Sequence, residues 1–179
     1  IKRGRDTGRQ PLPISVNVSR TYLQKEDVAG YIKNLIDKYQ IPMELFQLEI
    51  TETTENAESL SYINSLKQAG FTLLMDDFGS GYSSLCMLKN TPFDVLKMDR
   101  QFLDECLDSK QGKTIISHVI SMSNDLGLSI IAEGVENRGT ADFLYDNGCS
   151  VSQGFYFSKP VSIPEFEHML DEQQTEQQR

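Results

Sequence analysis

The sequence predicts an α/β fold, a TIM-like (β/α) barrel that is incomplete at its N-terminus. Three observations lead there. Apolar, β-prone segments alternate with amphipathic helical segments along the 179 residues. No hairpin signal joins one strand to the next. Each strand also exits on a polar or charged side chain. Parallel strands need long crossovers, usually helices, which is what the alternation supplies.

The elements follow in order. Leu12-Pro13 leads into an alternating strand at residues 14–18, with Asn17 near its end and Ser19 as a candidate cap. Val28, Ile32, Leu35 and Ile36 mark a helix face through about Tyr39, and Ile41-Pro42 breaks it. Residues 46–50 read as a strand, and residues 57–69 as a helix that Gly70 stops. A buried strand at 71–75 runs into Asp76-Asp77 and the loop Gly79-Ser80-Gly81. A short helix at 83–89 ends before Pro92, and residues 94–98 form the next strand. A longer helical region, 102–126, is interrupted near Gly112 and ended by Gly127. Strand 128–132, helix 140–146, strand 149–152 and helix 163–170 complete the order, with a polar, fraying tail at 171–179. No domain boundary is visible, so residues 1–179 read as one domain.

The strand exits carry the functional signal. Asn17, Glu49, Asp76 with Asp77, Lys97 with Asp99, Glu133 and Gln153 lie at the ends of six different strands. In a parallel β/α barrel those ends share one face, where active sites are built. In an open doubly wound sheet only the switch-point pair would converge. One site using all six therefore favours a barrel. A full eight-unit barrel needs more residues, and the missing part is most economically placed before Ile1.

Composition narrows the chemistry. Lys plus Arg is 17 and Asp plus Glu is 26, a formal net charge of −9. Duplex binding runs on basic patches, so duplex nucleic acid is a poor partner. A small anion bound with metal ions remains compatible with an acidic chain. Three cysteines without CxxC spacing argue against a disulfide framework or a zinc site. The two histidines, His118 and His168, lie away from the strand ends, which weakens triad and His-zinc mechanisms. No apolar run is long enough to cross a bilayer, and no membrane contact is expected from this segment.

Several carboxylates with an Asn amide oxygen make a hard-oxygen donor set, suited to Mg²⁺ or Mn²⁺. Adjacent Asp76 and Asp77 could serve two ions, which together would activate water and clamp the attacking and leaving oxygens in phosphoryl transfer. Lys97 is the lone cation among the exits and could stabilise developing charge. Each residue also has a plain structural reading. Asn17 can close a turn, Glu49 can pair with a surface lysine, and Lys97 can be an ion-pair partner of Asp99 or Asp76. Glu136 can serve a helix dipole, and Gln153-Gly154 can be a turn. Recurrence at six strand ends favours function.

Six motifs, in order, resemble the EAL domain family of bacterial cyclic di-GMP phosphodiesterases. They are Ser15-Val-Asn-Val-Ser19, Leu48-Glu-Ile-Thr-Glu52, Asp76-Asp-Phe-Gly-Ser-Gly-Tyr-Ser-Ser-Leu85, Leu96-Lys-Met-Asp-Arg100, Ala132-Glu-Gly-Val-Glu136 and Gln153-Gly-Phe155. The resemblance implies a TIM-like barrel that cuts cyclic di-GMP to linear pGpG with Mg²⁺ or Mn²⁺ at a two-metal site. It implies metal ligation by Asn17, Glu49, Asp76, Asp77 and Glu133. Lys97, Glu52, Glu136 and Gln153 would be the catalytic and supporting residues. Ser80, Gly81, Asp99 and Gln153 would lie against the substrate. Ser80 stands where the family more often has Thr.

The family's namesake Glu-Ala-Leu motif is absent, so the first strand and most of the first helix are expected to lie outside this chain. A non-catalytic cyclic di-GMP receptor or regulatory interaction domain is the alternative, and retention of Lys97 and the acids favours the enzyme. The resemblance further implies a homodimer, GGDEF-type or sensory domains upstream, and a cytoplasmic location, free or as the cytoplasmic part of a membrane-anchored bacterial protein.

Overall fold

The computed structural model describes residues 1–6, 8–9, 11–19, 27–51, 57–80 and 84–177. Helix α1 (Lys2–Asp6) precedes β1 (Ile14–Asn17), α2 (Val28–Lys38), a 3₁₀ turn (Met43–Leu45) and β2 (Phe46–Thr51). Then come α3 (Ala57–Gln68), β3 (Thr72–Phe78), α4 (Ser84–Asn90), β4 (Val95–Met98), α5 (Arg100–Leu107) and α6 (Lys110–Asp125). The chain closes with β5 (Ser129–Ala132), α7 (Arg138–Asp146), β6 (Val151–Ser152) and α8 (Ile163–Gln177).

All six strands are parallel and lie in sequence order, β1-β2-β3-β4-β5-β6. The order never reverses, so there is no switch point of the doubly wound kind. The sheet is instead a curled half-barrel, with β1 and β6 outermost among the described strands. Arg9, just before β1, pairs with Asp171 of α8 at 2.7 Å, so the last helix returns to the start of the sheet.

The two faces of the sheet differ sharply. Paired residues in parallel strands point to the same side, and successive residues alternate. One face carries Leu48, Ile50, Leu73, Met75, Leu96, Met98, Ile130 and Ala132, all buried. These form the core with Ile32 and Ile36 of α2, Ile63 and Leu66 of α3, Ile116 and Ile120 of α6, and Leu144 of α7. The other face carries Ser15, Gln47, Glu49, Thr72, Asp76, Lys97 and Ser129, with Leu74 and Val95 as its buried apolar members.

Several boundaries differ from the sequence reading. Strand β3 continues through both aspartates to Phe78. The long helical region is two helices that break at Asp108 and Ser109, not at Gly112. Ser109 caps α6 by accepting from the Gly112 amide at 2.9 Å. Gly112 is required for packing: a Cβ there would stand 2.0 Å from the Cys106 carbonyl oxygen. Asp27, in the left-handed region, caps α2 and accepts from Gly30 N–H at 3.0 Å. The segment after Ser19 lies outside the described residues. Helix α8 continues past Leu170 into the polar tail expected to fray, because nothing in that segment breaks a helix.

Leu73 is fully buried on the helix-facing side. Leu73→Ala is expected to lower unfolding stability by about 2–5 kcal/mol, read by urea titration, because the packed helices cannot collapse into the gap.

Candidate active site

Register arithmetic puts the polar exits on one face of the sheet. Asn17 pairs with Glu49, and Glu49 with Leu74, so Asp76 lies two residues further along the same face. Lys97 pairs with Ile131, and Ile131 with Val151, so Glu133 and Gln153 again lie two residues along. Steps of two preserve the face.

Between β3 and β4 the ladder slips. Met75 pairs with Leu96 and Phe78 with Met98, so Asp76 and Asp77 together oppose Lys97 alone. This is a β-bulge, and Asp77 adopts φ 59° within it. A bulge interrupts the alternation that would send adjacent side chains to opposite faces. Asp and Asn tolerate this left-handed conformation better than most residues.

The Lys97 ammonium sits at the centre. It donates to Asp76 Oδ1 at 2.7 Å, Glu133 Oε1 at 2.8 Å and Glu49 Oε1 at 2.9 Å. An ammonium has three N–H donors, and here each has a carboxylate. Glu49, Asp76 and Lys97 are buried, with 5–7% of their surface exposed. Burial by itself disfavours the ammonium, but the three acids outweigh it and hold Lys97 above the ordinary lysine value. Burial pushes the Glu133 carboxyl up, against the pull of Lys97, and the charges on Asp76 and Glu49 add to the rise.

Ser15 joins the site although it does not stand at a strand exit. Its hydroxyl donates to Glu49 Oε1 at 2.5 Å. It stands two residues before Asn17 on the same face, so alternation alone would have found it. Asn17 is exposed beside Glu49. Ser80 is exposed, with its N–H on the Asp77 carbonyl at 3.1 Å. Asp99 caps α5, accepting from Gln101 N–H at 2.8 Å, and is not a partner of Lys97 in the ion pairs around it. Glu136 pairs with Arg100 at 2.7 Å. Gln153 is exposed and lines a separate cavity of about 420 Å³ with Phe155, Lys159 and Phe166. Glu52 and Gly81 lie outside the described residues.

A cavity of about 880 Å³ lies elsewhere, between the β3 exit and α6, and is mainly apolar. None of the acids around Lys97 lines it, so the converging charges mark the site rather than the volume.

The donor set fits a hard divalent cation in its chemistry. Three carboxylates against one ammonium leave two negative charges uncompensated, the charge of one divalent ion. All the donors are oxygens, with no thiol or imidazole among them. Among the described residues no three Asp, Glu, His or Cys side chains already form a metal cage. The acids gather round the ammonium instead.

A model of the EAL domain family matches residues 1–160. The chain belongs to the EAL domain family. This EAL domain is 38% identical over 165 residues to signaling protein YkoW of Bacillus subtilis, covering 90% of this chain and 21% of that protein. It is 36% identical over 165 residues to cyclic di-GMP phosphodiesterase RocR of Pseudomonas aeruginosa, covering 90% of this chain and 41% of that protein. Among solved structures, the EAL domain of Mycobacterium smegmatis DcpA superposes with a TM-score of 0.89 at 31% identity, over 96% of this chain and 78% of that one. The Klebsiella pneumoniae BlrP1 complex with manganese and cyclic di-GMP superposes with a TM-score of 0.78 at 27% identity, over 89% of this chain and 42% of that one. The EAL domain described here thus spans between about a fifth and two-fifths of these two curated relatives.

Lys97→Met would strand three acids in a buried site. At about pH 7 with chelator present, urea unfolding is expected to show a loss of about 3–5 kcal/mol. The loss should shrink as pH falls through the carboxylate range, because protonation removes the uncompensated charge. In the wild type, the raised folded-state value of Glu133 adds stability at low pH that is lost as pH rises through that value. Lys97, also raised, adds stability that is present below the ordinary lysine value and lost only above it.

Proposed function

We propose that this EAL domain hydrolyses cyclic di-GMP to linear pGpG with Mg²⁺ or Mn²⁺. The observation that carries the reading is the convergence of Glu49, Asp76 and Glu133 from three strands on one lysine. The names of RocR and of the BlrP1 complex support it.

On this reading Asn17, Glu49 and Asp76 would hold one ion, with Asp76 shared, Asp77 would hold a second, and Glu133 would also belong to the metal shell. Bound divalent ions supply an activated water and neutralise phosphate charge. Lys97 stays protonated, so it acts by charge rather than as a base. It stabilises the negative charge that builds on the phosphate oxygens and orients the water. Ser80, Gly81, Asp99 and Gln153 border the nucleotide, and Glu52 and Glu136 support the site loops. One ring P–O bond breaks as water oxygen bonds to phosphorus, and a proton ends on the departing ribose oxygen. We place the reaction in the cytoplasm, in a homodimer with sensory or GGDEF-type domains upstream.

The test is chromatography of cyclic di-GMP incubated with the full-length protein and Mn²⁺. pGpG should appear only with the ion present. Lys97→Ala and Asp76→Asn should each lower kcat by about 100-fold or more. Full-length protein that binds the nucleotide and never cleaves it would be a receptor, and the phosphodiesterase reading would be lost.

A further inference from the structure

Two glycines from different exit loops rest on the same turn of one helix. Gly79, after β3, has φ 98°, and a Cβ there would stand 2.6 Å from the Phe102 ring. Gly134, after β5, has φ 68°, and a Cβ there would stand 2.4 Å from Arg100 Cγ and 2.5 Å from Arg100 Cβ. Phe102 and Arg100 both belong to the start of α5. The backbone of the loop that carries Glu133 therefore lies directly on the aliphatic stem of Arg100.

The guanidinium then reaches Glu136 of the same loop at 2.7 Å and Asp104 of its own helix at 3.2 Å. The loop's other flank is fixed by backbone: Glu133 N–H donates to Met98 O at 3.0 Å, and Val135 N–H to Gln153 O at 3.0 Å. Arg100 is thus the side chain that bears on the loop both next to Glu133 and three residues beyond it. Arg100 and Glu136 are both about half exposed, and exposed ion pairs add little to stability. The arrangement makes sense as placement of the loop rather than as a stabilising bond.

We propose that Arg100 is a positioning residue, seating the β5 exit loop so that the Glu133 carboxylate meets Lys97 and the acids of β2 and β3. The proposal rests on the metal-dependent reading above. Residues that hold ligands in place from outside typically change metal affinity or activity by about 10–100-fold when removed.

The test uses full-length protein, with Mn²⁺ affinity measured by calorimetry in the absence of nucleotide. Metal-free melting temperature and the separate values of kcat and KM complete the readout. Arg100→Ala should leave the metal-free melting temperature near that of the wild type. It should weaken Mn²⁺ binding about tenfold and lower kcat about tenfold at a nearly unchanged KM. Arg100→Lys keeps a stem over Gly134 and a charge for Glu136, and should recover most of both losses. Wild-type Mn²⁺ affinity in Arg100→Ala, no recovery in Arg100→Lys, or collapse of the metal-free melting temperature would each overturn the proposal. Wild-type protein that binds Mn²⁺ and cleaves no cyclic di-GMP refutes the phosphodiesterase reading, and the Mn²⁺ comparison still decides the role of Arg100. Wild-type protein that binds no Mn²⁺ overturns both.

Discussion

One buried ammonium must balance three carboxylates that arrive from three other strands, and the sheet is shaped accordingly. Glu49 on β2 and Lys97 on β4 are two strands apart, roughly 10 Å if the sheet were flat. Their charged atoms meet at 2.9 Å because the two long side chains reach toward each other across β3. Curling brings the inner side chains together, and the even register steps keep them on the inner face. The apolar outer face then has to carry the fold, because the inner face is given over to charge. This explains why the buried core lies almost entirely between sheet and helices.

The same balance governs the site's electrostatics. Two negative charges are in excess. Burial pushes the Glu133 carboxyl up and the negative charges of Asp76 and Glu49 add to the rise, while the three acids together hold Lys97 protonated. A divalent ion would relieve the excess without a proton. On the phosphodiesterase reading, the lysine that holds the acids together becomes free to face the phosphate once an ion takes a share of those oxygens.

Much of this was legible in the sequence, because strand exits and side-chain alternation are local properties. The order of elements, the parallel barrel-like sheet and the group Glu49, Asp76, Lys97 and Glu133 all follow from period-two patterns and the polar residues that end them. Other features were not legible because they depend on neighbours distant in sequence. The bulge that sets Asp76 and Asp77 against Lys97 is a register slip between strands, and no local motif encodes it. Gly112 looked like a helix breaker but is a close-packing residue, since the clash that demands glycine comes from Cys106 in the preceding helix. The setting of Arg100 depends on Gly134 and Glu136, which lie a whole crossover away.

The two left-handed glycines show why such long-range features matter to chemistry. The backbone ladder reaches as far as Glu133, one residue past the end of β5, through its N–H on the Met98 carbonyl. Beyond that point a loop needs an external surface to define its path. A single residue, the capping Asp99, separates the end of β4 from the start of helix α5, so the first turn of the helix is tied closely to the strand. Loops on either side that press glycine backbone onto that turn inherit its placement. The central strand thus supplies the cation through Lys97 and, through the helix it launches, a common support for the acids that surround it.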